Sequence, residues 1–396
     1  VLGRDVMGAI WADMRRTILP SWVAAAPKNW GTAKRGKLSA AHWKAVWTIH
    51  LPVTLIWLWR NETSRKRELL NNMLEGVMAV LCAAFKSTDI NTSQMFDYHF
   101  REYMTGVARL FRENTIIPSQ HIAFHIGQHM RESGPEHSKG AQFYERYIHH
   151  LQKQNTNGKF GTDSSRTGEM ESTFMQASAR TANLKALLSD NPEIRAQVAA
   201  TVKACDLIAG PSAVEFDANP HSPVPSSSQW ISLPRRERQL LHQYLRQKHG
   251  ESFGVELWRA SGIIMDEIWV GGVGYARQNV RKYDCDSHIL FRKPAHPELD
   301  DLTTGKILNI FEYWFTAPDG SEIKGTYLII EEFNVHPIPP DQDPYRKYTA
   351  FGYLADTVGV VDTYVIEDSH ILAHCALTSI VSNGVNLTHV LPVTQV

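Results

Sequence analysis

Apolar residues recur every three or four positions through most of the first half of the chain, a spacing typical of amphipathic helices. Glycine and proline clusters interrupt the pattern at residues 133–135, 190–192 and 210–211, where helices would end. The spacing predicts helices over residues 1–14, 64–86, 91–113, 118–132, 142–154, 169–188 and 192–209. The first half is therefore expected to be helical.

The pattern changes after residue 250 to short runs rich in β-branched and aromatic residues. Runs 307–315 and 323–333 flank the turn sequence Pro318-Asp319-Gly320, which predicts a β-hairpin. Runs 360–367 and 370–378 flank Asp368-Ser369 and predict a second strand pair. Short strands with turn signals favour a small sandwich or a partly open barrel.

A proline- and serine-rich stretch at 210–228 separates the two patterns and is typical of an exposed linker. It is followed by a short basic helix over 234–249. We expect an α+β protein with a helical region at 1–117, a second helical region at 118–209, the linker and basic helix at 210–250 and a β-rich domain at 251–396. On this view the helical and β-rich halves fold as separate units.

The formal net charge of zero is a cancellation between the two halves. Residues 1–250 hold 31 Lys and Arg against 21 Asp and Glu, whereas residues 251–396 hold 10 against 20. Residues 1–60 carry nine basic and two acidic residues together with seven of the eleven tryptophans. Cations neutralise phosphates and aromatic rings stack on bases, so this region is a candidate DNA-binding region.

The candidate DNA-binding residues within it lie close together and are Lys28, Trp30, Lys34, Arg35 and Lys37. The alternative interpretation is that the tryptophans belong to a hydrophobic core and that the lysines are merely solvated.

Several functional classes are not supported by the sequence. The longest apolar run, 51–59, is far shorter than the roughly 20 residues that span a bilayer, so no membrane partner is expected. The four cysteines are widely separated and form no CxxC motif, which favours reduced thiols in an intracellular compartment. No complete P-loop, GxSxG or HExxH motif is present.

Three histidines, His121, His125 and His129, stand four residues apart on one predicted helix. Two histidines at this spacing can share a metal ion, which makes His121 and His125 candidate ligands. The alternative is a half-buried column held by hydrogen bonds. Glu145 lies in the segment Phe143-Tyr144-Glu145-Arg146-Tyr147 of the helix predicted over 142–154. Its side chain is expected to face away from the apolar side of that helix, toward either solvent or a cleft.

Three groups of motifs resemble the C-terminal portion of CACTA/En-Spm-type transposases of basidiomycete fungi. The first group comprises residues 19–23, 27–31, 36–39 and 49–52. The second comprises residues 121–127, 134–135, 143–147, 154–157, 159–161 and 182–184. The third comprises residues 343–348, 365–367, His374 and 389–392. Together they cover about two thirds of the chain in the order found in the family. Residues 162–168 depart from the pattern as an insertion, which suggests a degenerate copy or an incorrect gene prediction.

The resemblance implies a nuclear protein that takes part in DNA transposition and has an RNase H-like core. In such a core, two aspartates and one glutamate would hold two Mg2+ or Mn2+ ions. Glu145 would be the third carboxylate, Arg146 its neighbour at the phosphate, and both aspartates would lie upstream of Val1. The chain alone would then hold no cofactor and be inactive, with element-end DNA and a second copy as partners. The alternative is a non-catalytic DNA- or chromatin-binding protein derived from a decayed transposon.

Overall fold

The structure is a computed structural model that describes residues 2–32, 37–62, 65–113, 115–135, 179–180, 183, 231–250, 261–280, 284–294, 301–316, 322–382 and 384–394. The chain divides into two compact units, residues 1–137 with 221–396, and residues 138–220. Apart from 179, 180 and 183, every described residue belongs to the first unit. The expected linker at 210–228 and the predicted helices at 142–154, 169–188 and 192–209 fall outside the described residues or almost entirely so.

Helices dominate the first 133 residues, as the periodicity predicts. They are α1 (Arg4–Arg16), α2 (Ala40–Ala45), a π-helical segment (Val46–His50), α3 (Leu51–Leu58), α4 (Arg65–Ala83), α5 (Ile90–Leu110), α6 (Pro118–Ala123) and α7 (Ile126–Ser133). The basic helix of the second half is α8 (Arg235–His249). None of the described helices is long and apolar enough to cross a membrane.

Strands form most of the second half, and the protein is of the α+β class. They are β1 (Thr17–Ile18), β2 (Ile231–Ser232), β3 (Ser261–Met265), β4 (Glu267–Val270), β5 (Val273–Ala276), β6 (His288–Arg292), β7 (Leu302–Thr316), β8 (Glu322–Asn334), β9 (Tyr353–Glu367), β10 (Ile371–Ser382) and β11 (Val385–Val393). Short 3-10 turns join β8 to β9 and β9 to β10.

Six antiparallel strands close into a barrel in the order β6-β7-β8-β9-β11-β10. Closure depends on β6, which pairs with β7 on one edge and with β10 on the other. A closed barrel leaves no free sheet edge among these six strands. Strands β7, β8 and β9 extend beyond the barrel as a sheet whose outer edge is capped by β3 and β2.

The predicted hairpin of 307–315 with 323–333 is confirmed by the pairing of β7 with β8. The predicted pairing of 360–367 with 370–378 is wrong. Both segments are strands, but β9 pairs with β8 and β11, whereas β10 pairs with β11, β6 and β1. A 3-10 turn at Asp368–His370 lies between the two strands, and the chain therefore passes across the barrel instead of folding back on itself.

A second correction concerns the predicted helix over 118–132. It is two helices separated by a turn at Phe124 and His125. The backbone N–H of Phe124 donates to the carbonyl of His121, and that of His125 donates to the carbonyl of Ile122. These three-residue bonds tighten the chain locally and end α6.

The N-terminal helices pack directly on the β-rich half. One hydrophobic cluster contains Ile10, Leu55 and Leu70 together with Ile380 and Leu387. Since these residues come from α1, α3, α4, β10 and β11, both halves share one core. The expectation of separately folding helical and β-rich halves is therefore not met by the described residues.

Polar contacts support this shared core. Strand β1 pairs with β10 through Thr17 and Thr378, whose hydroxyl oxygens are 2.9 Å apart. The buried hydroxyl of Tyr345 donates to the carbonyl oxygen of Val53 at 2.8 Å. A helix-to-barrel contact of this kind satisfies a buried polar group that would otherwise carry a desolvation cost.

Four buried histidines lie in the core or in the walls of the barrel, namely His50, His288, His374 and His389. His374 lies parallel to Tyr275 at a ring-centroid distance of 4.0 Å, and the indole N–H of Trp22 donates to its Nδ1 at 3.2 Å. Burial is the main cause that lowers the pKa of each of the four imidazoles to about 4. All four are therefore neutral in the folded protein at pH 7.

We predict that the protein loses stability as the pH falls from about 6.5 toward 4. The ordinary histidine pKa of about 6.5 applies to the unfolded chain, so protons bind the unfolded state first and favour it in this window. The loss should reach about 2 kcal/mol for each of the four histidines at pH 5. Urea unfolding followed by tryptophan fluorescence at pH 7.5 and pH 5 measures it.

The exposed His121 and His125 provide the control for this measurement. The double variant His121→Gln/His125→Gln should show the same pH dependence as the parent chain. Equal unfolding free energies at pH 7.5 and pH 5 in the parent chain would show that burial does not hold these imidazoles neutral.

Candidate nucleic-acid interface

Helix α8 begins after Pro234 and ends at His249, and the φ of 92° at the following Gly250 stops the helix. Its buried residues, Leu241, Tyr244 and Leu245, are three and four positions apart. That spacing places them on one side of the helix and leaves the opposite side to solvent.

The buried side of α8 packs on the sheet that extends beyond the barrel. The cluster there is formed by Leu233, Phe311, Tyr313, Phe315, Tyr327, Ile329 and Val365. The ring of Tyr244 meets that of Tyr327 edge to face at a centroid distance of 6.1 Å. Because aromatic packing of this kind is specific in geometry, α8 is held in a defined position on the sheet.

Polar contacts anchor α8 near both ends. Near its beginning, Arg236 donates to the hydroxyl of Thr363 at 3.1 Å, and the carboxylate of Glu237 accepts from the side-chain amide of Asn309 at 2.6 Å. At its end, Lys248 forms an ion pair with Glu367. Burial raises the pKa of Glu237, consistent with a carboxyl group turned toward the sheet.

The exposed side chains of α8 include no carboxylate. They are Arg235, Arg236, Gln239, Gln243, Arg246, Gln247, Lys248 and His249. Within the described part of the chain, Arg235, the half-buried Arg238 and Arg246 form no ion pair. The exposed residues of α8, together with Arg238 and His242, are called the α8 basic face.

His242 lies close enough to two arginines of this face for their charges to affect its pKa. Burial, followed by the charges of Arg238 and Arg246, lowers the pKa of His242 to about 4. Both charged neighbours that act on this imidazole are thus cations. A surface of this kind attracts polyanions.

The carboxylates of the sheet beneath α8 lie in three different environments. Glu367 is already paired with Lys248. Asp362 lies on the alternate face of β9 from Thr363, on the side where it acts on Tyr364. Glu331, which is opposite Thr363 in the β8–β9 pairing, is half-buried.

The sequence-predicted DNA-binding residues divide into exposed residues, residues outside the described part of the chain, and the buried Trp30. Lys28 and Lys37 are exposed and free to meet a phosphate. Lys34, Arg35 and Arg146 lie outside the described residues, as does the candidate catalytic Glu145.

Trp30 is a correction, because its side chain belongs to the core. It is 6% exposed, its indole N–H points to the sulfur of Met14 at 3.2 Å, and its ring meets Trp43 edge to face. The indole N–H of Trp11 donates to its carbonyl at 3.1 Å. A ring held in this way cannot stack on a base, so the core interpretation of this tryptophan is the correct one.

The candidate metal ligands His121 and His125 are exposed, and their ring centroids are 5.6 Å apart at nearly a right angle. The turn that separates α6 from α7 takes them off a common helix. Among the described residues no group of three or more His, Cys, Asp or Glu side chains is placed to hold a metal ion. The two histidines therefore remain a pair without a third protein ligand in that part of the chain.

The sequence pattern predicts the basic helix over 234–249, but none of its residues is among the candidate site residues that the sequence suggests. The signal that could have identified them is the spacing of Arg235, Gln239, Gln243 and Arg246, which recur at steps of four, four and three. A helix whose polar stripe holds only cations and amides differs from the mixed-charge stripe of most solvated helices.

Comparisons of the chain with protein-family models, with curated proteins and with solved structures found no match.

We predict that Trp30→Ala lowers the free energy of unfolding by about 3 to 5 kcal/mol, because it leaves a cavity in the core. The neighbouring Trp43, which is 47% exposed, provides the matched control. Trp43→Ala should cost clearly less. Urea unfolding measures both variants, and equal costs would contradict the core assignment of Trp30.

Proposed function

We propose that this chain is a DNA-binding protein of transposon origin and that the α8 basic face is its main contact with the phosphate backbone. The observation that carries the proposal is the absence of carboxylates from the exposed side of α8, together with the arginines Arg235, Arg238 and Arg246, which form no ion pair with any described residue. Arginines of this kind release condensed counterions from DNA without first breaking protein ion pairs, which favours binding.

The exposed Lys28 and Lys37 support the same proposal by adding cations from the N-terminal region. The resemblance to CACTA/En-Spm-type transposases supports a transposon origin and a nuclear location. In the parent protein Glu145 would be the third metal-binding carboxylate of an RNase H-like core. The described residues supply no metal-binding group, and we derive no metal-dependent step from them.

A non-catalytic DNA- or chromatin-binding protein left from a decayed element is the second candidate function. Both candidates use the α8 basic face in the same way and differ only in whether Glu145 serves as a metal-binding carboxylate in the parent protein.

We predict that duplex DNA binding by the full chain weakens steeply with salt and depends on α8. The triple variant Arg235→Gln/Arg238→Gln/Arg246→Gln should weaken binding at least tenfold. It should also reduce the slope of log affinity against log salt by about 0.9 for each phosphate that the variant no longer neutralises. Fluorescence anisotropy with a labelled 20-base-pair duplex at 50 to 300 mM salt measures both quantities.

The matched control is Arg101→Gln/Arg109→Gln/Arg112→Gln, which removes the same charge from exposed positions on and just after α5. It should bind DNA almost as tightly as the parent chain. Equally weakened binding in the two triple variants would mean that only net charge matters, and a flat salt response in the parent chain would refute phosphate binding altogether.

We also predict that the chain neither nicks nor joins supercoiled DNA with Mg2+ or Mn2+, because one candidate carboxylate cannot clamp two divalent ions. Agarose-gel assays with purified protein test this. Nicking that persists through purification and disappears in Glu145→Ala would favour an active transposase and contradict the prediction.

A further inference from the structure

The centre of the exposed side of α8 differs chemically from its borders. Taking 100° of rotation per residue, Gln239, Gln243 and Arg246 point directly away from the buried Leu241, Tyr244 and Leu245. The outermost line of the helix thus holds two amides and one guanidinium. Arg236 and Arg238 lie to the two sides of this line, and Arg235 lies at its start.

Amides are not the residues that phosphate attraction alone would require. Glutamine carries no charge, but its side chain can form two hydrogen bonds with the N6 and N7 atoms of adenine, as arginine does with O6 and N7 of guanine. Both base edges are exposed in the major groove. The arrangement of central amides and flanking cations therefore matches base contacts in the middle and phosphate contacts at the sides.

The dimensions of α8 also suit this groove. From Gln239 to Arg246 the helix rises about 10 Å, the length of roughly three base-pair steps. A helix with side chains has a diameter of about 10 to 12 Å, which the major groove of B-form DNA admits. The major groove of A-form RNA is too narrow for it.

Contacts with the sheet keep the helix rigid and leave its outer line unoccupied. The anchors at the two ends of the helix use Arg236, Glu237 and Lys248. None of the described residues forms a hydrogen bond or ion pair with the side chains of Gln239, Gln243 or Arg246. Recognition residues fixed on a rigid element lose little conformational freedom on binding.

We propose that α8 enters the major groove of duplex DNA and reads base identity through Gln239, Gln243 and Arg246. This inference rests on the proposed function, since it requires that the α8 basic face binds DNA. It goes further by assigning sequence preference, groove and nucleic-acid class to three side chains.

The test begins with selection of a preferred site from a duplex library with ten randomised base pairs. The full chain should bind the selected duplex more tightly than a scrambled one, by roughly 5- to 150-fold for each base pair contacted. Gln239→Ala/Gln243→Ala should lower this ratio to the part that Arg246 alone supplies, while the salt slope stays close to that of the parent chain because every arginine remains. The control Gln94→Ala/Gln128→Ala, with exposed glutamines on α5 and α7, should keep the full ratio.

A second measurement identifies the groove. Replacing the adenines of the selected site by 7-deazaadenine removes only the major-groove N7 acceptor that the glutamines would contact. It should weaken binding by the parent chain but not by the glutamine variant, because Arg246, which both proteins keep, would contact guanine. Equal weakening in both proteins, or none in either, would overturn the assignment of α8 to the major groove.

The outcomes separate the inference from the proposed function. Binding of all duplexes with one affinity, unchanged in the glutamine variant, would refute base reading and leave phosphate binding intact. Tighter binding of the matching duplex RNA or single strand would refute the major-groove assignment. Failure to bind any nucleic acid would refute the proposed function itself.

Discussion

Closure of the barrel by β6 is the constraint on which the rest of the structure depends. This five-residue strand pairs with β7, which is the next strand in the chain, and with β10, which lies much further along the chain. Without the second pairing, the six strands would form an open sheet with two unprotected edges. With it, β10 is fixed in place, and β10 in turn pairs with β1 and packs against α1.

The barrel also explains the position of α8. Strands β7, β8 and β9 are longer than β6, so they continue past the closed barrel and present an aromatic surface that must be covered. Helix α8 covers it with Leu241, Tyr244, Leu245 and the partly buried Leu240, and its opposite side faces solvent. Packing on the sheet does not determine which polar residues occupy the solvent-facing side, and the exposed residues there are cations, amides and His249.

Local signals predicted much of the fold from the sequence. The periodicity located α4, α5 and α8 within a few residues, and the Pro318-Asp319-Gly320 turn located the β7–β8 hairpin. The partners of β9 and β10 could not be predicted, because antiparallel pairing across a barrel depends on strands far away in sequence. The burial of Trp30 could not be predicted either, because composition cannot distinguish a tryptophan in a core from one that stacks on a base.

The candidate site was only partly predictable for the same reason. The charge excess of residues 1–60 was evident from composition, and the structure leaves Lys28 and Lys37 exposed. The α8 basic face required the structure, because only the contacts with the sheet show that Glu237 and Lys248 are engaged and that the arginines between them form no ion pair with the described residues.

The bond between Thr17 and Thr378 joins residues 361 positions apart. During synthesis at about 5 to 20 residues per second, the first helices would therefore wait about 20 to 70 s for the strand that covers them. Their apolar surfaces, including Ile10 and Leu55, would be exposed to water and to other nascent chains throughout this time. A fold whose first and last segments share one core thus cannot complete that core until translation is nearly finished.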